Sequence, residues 1–111
     1  MKRFALFAVM ATLNSPLFAD VDAGFAAVRD LGSVNGQALA CSQMVVSSQA
    51  KALMIKHAPK SRRYGEVFET STSEAFLAQG KQQDSCPAAA DFATRLDALG
   101  KRLQSTLPAA Q

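Results

Sequence analysis

The 111-residue chain has one histidine, two cysteines and a small excess of charge, and each scarcity removes a class of chemistry. The single histidine, His57, belongs to no motif that supplies a nucleophile or an orienting acid, so general-base catalysis is not expected. The cysteines, Cys41 and Cys86, stand 45 positions apart and form neither a CxxC redox pair nor a zinc motif. A Gly-rich nucleotide loop, a serine-nucleophile elbow and a haem attachment motif are all missing. The apolar run Phe4–Leu13 is about half the roughly 20 residues that a bilayer span needs. Internal repeats, linkers and low-complexity tracts are absent as well.

What is present begins with an export signal. Met1-Lys2-Arg3 is a positive n-region and Phe4–Leu13 an apolar h-region; Asn14-Ser15-Pro16 breaks the run before Leu17-Phe18-Ala19. That layout predicts a secretory signal peptide over residues 1–19, cleaved after Ala19 or, as a second choice, after Ala23. Residues 20–111 then form one helical domain, with ten basic residues against nine acidic ones. A nearly neutral domain has no global field for nucleic acid or an anionic membrane. The predicted address is the periplasm or the exterior, with no stable membrane insertion after cleavage. Two cysteines in an exported chain predict one disulfide, Cys41–Cys86. The lipobox-like Ala38-Leu39-Ala40-Cys41 is not a lipidation signal, because it does not follow the h-region directly.

Four helical patterns fill the domain. Val21, Phe25, Val28 and Leu31 recur at helical spacing over about 21–32, with Gly32 as a stop and Ser33-Val34-Asn35-Gly36 as a turn. Residues 37–57 carry a wide apolar face and end before Pro59. Residues 61–79 open on the N-cap candidate Ser61, and Gly80 fits a C-cap. Residues 86–107, opened by Ser85 and Pro87, have the cleanest stripe: Phe92, Leu96, Leu99, Leu103 and Leu107. Short loops between these patterns predict an all-α, antiparallel four-helix bundle. In that topology Cys41 and Cys86 fall at the same end, where a bridge can close.

Three functional readings follow. Lys51, Lys56, His57, Lys60, Arg62 and Arg63 cluster around the second loop with Tyr64 beside them, at the end opposite the disulfide. The residues Lys56, His57, Lys60, Arg62, Arg63 and Tyr64 are therefore the candidate partner-binding set, for another envelope protein. The expectation is a non-enzymatic accessory module that needs no cofactor. The second reading is a periplasmic stress chaperone that opens at Gly65 and Thr70–Ser73. The third is a carrier of copper or another metal that uses Met44, Met54 and His57.

Overall fold

The computed structural model describes residues 16–107, with side chains described from residue 22. Residues 1–15, which hold most of the predicted signal peptide, lie outside the described residues. Four α-helices and one 3₁₀ turn make up the fold: α1 Pro16–Ala40, α2 Met44–His57, α3 Arg62–Gly80, the turn Gln83–Ser85, and α4 Ala89–Thr106. Up-down-up-down topology holds, as the loop lengths predict. Both candidate cleavage points, after Ala19 and after Ala23, lie within α1.

The first two helices differ from the sequence pattern. Ser33-Val34-Asn35-Gly36 is not a turn; it sits inside a single 25-residue α1, which is the helix that all the others pack on. The chain turns instead at Cys41-Ser42-Gln43. There the Gln43 amide donates to the Ala38 carbonyl (2.8 Å), the Ser42 amide donates to the Leu39 carbonyl (3.3 Å), and Ser42 has a φ of 60°. Those bonds and that φ are the Schellman stop, with serine where glycine is usual.

Tertiary contacts override the Asn-Gly signal. Gly32 and Gly36 stand one turn apart on α1 and face α3. A methyl group on Gly32 would strike the Ser71 side chain and the Phe68 carbonyl; one on Gly36 would strike the Thr72 carbonyl and the Phe76 amide. The two helices run parallel and nearly touch along their backbones. Asn35, between the glycines, is fully buried and joins three helices. The Ser47 hydroxyl of α2 donates to Asn35 Oδ1 (2.6 Å), and Asn35 Nδ2 donates to Thr72 Oγ1 of α3 (3.2 Å). Both halves of a buried amide are satisfied, which makes the site stabilising rather than costly.

The apolar core joins Val28, Leu31 and Val34 of α1, Val46 and Ala50 of α2, and the predicted α4 stripe of Phe92, Leu96, Leu99, Leu103 and the following Leu107. α3 adds no fully buried apolar side chain to it. Its fully buried residues are Ser71 and Gln79, and it leans on α1 through half-buried Tyr64, Val67 and Phe68. α3 is thus held by close approach and small side chains more than by apolar area.

Cys41 and Cys86 are bonded, with Cα atoms 5.8 Å apart. The bridge ties the end of α1 to the loop before α4. Gln79 Nε2 supports that loop by donating to the Gln82 carbonyl (2.9 Å), and Gln83 Nε2 reaches the Ala40 carbonyl (3.4 Å). Two helix ends differ from expectation. Gly80 is helical and Lys81 is the C-cap, while α4 begins at Ala89, after Ala88, without a side-chain cap from Ser85.

Candidate functional site

The loop between α2 and α3 is built by Pro59 and Ser61. Pro59 holds Ala58 extended (ψ 137°) and so ends α2. Ser61 starts α3 by accepting the Tyr64 amide on its hydroxyl (3.4 Å). Lys56, Lys60, Arg62 and Arg63 are therefore displayed around a short, capped corner. All four are exposed, and none makes an ion pair among the described residues. Arg62 and Glu66, at i,i+4 spacing on α3, do not pair either.

Arg63 is fixed by aromatics. Its guanidinium lies 4.8 Å from the centre of the Phe25 ring, and Phe25 stacks on Tyr64 with centroids 4.3 Å apart. A cation over an aromatic face keeps its charge toward solvent while losing rotamer freedom. Phe25 is the member of this site that the sequence did not reveal, because it lies 38 positions from Arg63 and only the tertiary fold joins them. Arg29, one turn further along α1, lines a shallow cleft with Arg63, Glu66, Thr70 and Glu74.

Two residues leave the predicted cluster. Lys51 faces the groove between α2 and α3 rather than the loop. His57 is 5% exposed, with a buried Nδ1 that has no hydrogen-bond partner among the described residues. Burial takes it out of reach of a protein partner. An unsatisfied buried polar atom costs about 1–3 kcal/mol, so His57→Leu, close in volume, is expected to keep the fold and raise its melting temperature slightly. A fall of several degrees in a thermal melt would show that the ring makes a bond that leucine cannot replace.

The three-residue metal site does not assemble. α2 is one continuous helix, so the ten residues between Met44 and Met54 correspond to ~15 Å of rise. Met44 is exposed at one end, while Met54 packs against the core near the buried His57 at the other. No single ion can be held by all three.

The described ion pairs lie elsewhere. Lys101 Nζ is 3.2 Å from Asp97, as the i,i+4 spacing predicts. Arg102 meets Asp30 at 2.6 Å across α4 and α1. Arg95 lies over Phe92, 5.8 Å from the ring centre, instead of pairing with Asp91. Among the described residues, no helix is long and apolar enough to cross a membrane. Comparison with protein-family models, with curated proteins and with solved structures gave no match.

Proposed function

We propose that this chain is an exported, non-catalytic adaptor of the cell envelope, whose cationic α2–α3 corner captures an acidic segment of another protein. The observation that carries the reading is the set of four exposed cations, Lys56, Lys60, Arg62 and Arg63, which make no ion pair among the described residues, on a domain whose residues 20–111 hold ten basic and nine acidic residues. The corner is preorganised by the Ser61 cap and by Arg63 seated on Phe25, so little ordering remains to be done on binding. The disulfide fits an oxidising compartment, and the signal-like N-terminus points the same way.

The test uses a fluorescent oligo-glutamate peptide as the probe. Wild-type chain is expected to bind it with an affinity that falls steeply with salt. K60E/R62E/R63E is expected to lose at least tenfold in affinity with its thermal melt nearly unchanged, because all three residues are exposed. Equal binding by the reversed variant sinks the reading.

A chaperone remains a second reading because Met44, Val45, Ile55, Phe76 and Leu77 are 45–70% exposed. That surface is open in the folded chain and needs no opening at Gly65 or Thr70–Ser73.

A further inference from the structure

α2 and α3 flank the same side of α1 but scarcely touch each other, and their outer surfaces carry the large exposed apolar residues. α2 spreads its apolar and polar residues around its circumference and has no distinctly polar face. In the single chain its outer side is open: Met44, Val45 and Ile55 are 59–70% exposed.

We infer that this face is covered by a second copy of the same chain, in a twofold dimer that lays α2 of each protomer against α3 of the other. Charge and register carry the argument. α2 contains Lys51 and Lys56 and no carboxylate. Exposed Glu66 and Glu69 share one side of α3 with Ser73, Phe76 and Leu77, at three- and four-residue spacing. The open side of α2 is apolar and basic, and the middle of that α3 side is acidic, with Arg62 at its start. Lys51 and Glu69 stand on opposite walls of the groove between α2 and α3, with Leu39 and the buried Asn35 at its floor, and neither forms an ion pair among the described residues.

The two helices run in opposite directions, so their surfaces match in only a few registers. With Met44 level with Phe76 at the disulfide end, seven residues along each helix, ~10 Å, bring Lys51 level with Glu69. Four more residues bring Ile55 level with Gly65, whose missing side chain leaves open space around it. The apolar residues meet at the disulfide end, the opposite charges meet in the middle, and Ile55 finds a glycine. A twofold axis parallel to the helices makes each of these contacts twice, which is what an isologous interface requires. Lys60, in the loop, and Arg63, which turns toward Phe25, lie off this stripe, so the two surfaces can be tested apart.

The experiment is sedimentation equilibrium on the disulfide-bonded chain over a wide concentration range, with circular dichroism to confirm folding. The wild type is expected to sediment at twice the chain mass. I55E/L77E is expected to weaken the dimer at least tenfold while remaining helical. K51E and E69K should each weaken it, and K51E/E69K should restore it, because the swapped charges still face each other. K60E/R63E should leave it intact. A wild type that stays monomeric throughout, a dimer indifferent to Ile55 and Leu77, or weakening by both single reversals without rescue by the swap would each overturn the inference. A groove occupied by a different polypeptide in the purified protein would overturn it too.

Discussion

Gly36→Val is expected to destabilise the bundle by about 3 kcal/mol, at the upper end of the usual cost of overpacking. The reason is what a side chain there would meet. It would run into the Thr72 carbonyl, the Phe76 amide and the Ala75 Cβ. Backbone cannot rotate aside as a flexible side chain can, so α3 must move away from α1 as a body. That movement stretches the bond from Asn35 to Thr72 and opens the half-buried layer of Tyr64, Val67 and Phe68. α3 has almost no other anchor, since its fully buried residues are Ser71 and Gln79. For a domain of this size, such a loss corresponds to roughly 10–25 °C in Tm. The control is Gly65→Ala, where an added Cβ meets nothing within 4 Å. There the helix-propensity gain, about 0.5–1 kcal/mol, acts alone and should raise Tm. Urea denaturation of the two variants beside the wild type checks both. Equal behaviour of the two glycines would mean that α1 and α3 do not approach as closely as described.

The same glycines explain what was and was not legible in the sequence. The α4 stripe, Phe92 to Leu107, could be read directly because its signal is periodic apolar burial, which depends on α4 alone. The N-cap at Ser61 and the stop before Pro59 are equally local and were equally readable. Asn35-Gly36 was not, because two physical uses of glycine compete there. Read as backbone freedom, the pair marks a turn; read with Gly32 one turn earlier, it marks a helix face that another helix approaches closely. Neither glycine has a positive φ, so the second use holds. The real turn hides behind Ser42, a residue with no strong preference for the left-handed region. At the candidate site, the cations were readable as a run around one loop. The burial of His57 and the seat of Arg63 on Phe25 depend on contacts across the fold, which residue order does not specify.

Loss of the Cys41–Cys86 bond is the other large expected effect. Cys41→Ser with Cys86→Ser should cost about 4 kcal/mol, because the bond closes a loop of 45 residues in the unfolded chain. A domain of about 90 residues has ~5–13 kcal/mol of stability in all, so the variant should sit near the edge of folding at 37 °C. The fold adds a reason specific to this chain. α3 packs on α1 and meets the apolar core only through half-buried Tyr64, Val67 and Phe68, and the bridge returns the chain leaving α3 to the Schellman turn at the end of α1. Without it, Gln79 and Gln83 alone fasten the loop, through one bond to Gln82 and a longer one to Ala40. Amides of α3 should therefore lose hydrogen-exchange protection before those of α4, whose buried stripe does not depend on the bridge. Urea titration with and without reductant, followed by exchange on the reduced chain, checks both claims. A stability difference under 1 kcal/mol, or uniform loss of protection, would refute the staple's role. Binding at the cationic corner should survive wherever the reduced chain remains folded, because the bridge and Lys60–Arg63 lie at opposite ends of the bundle.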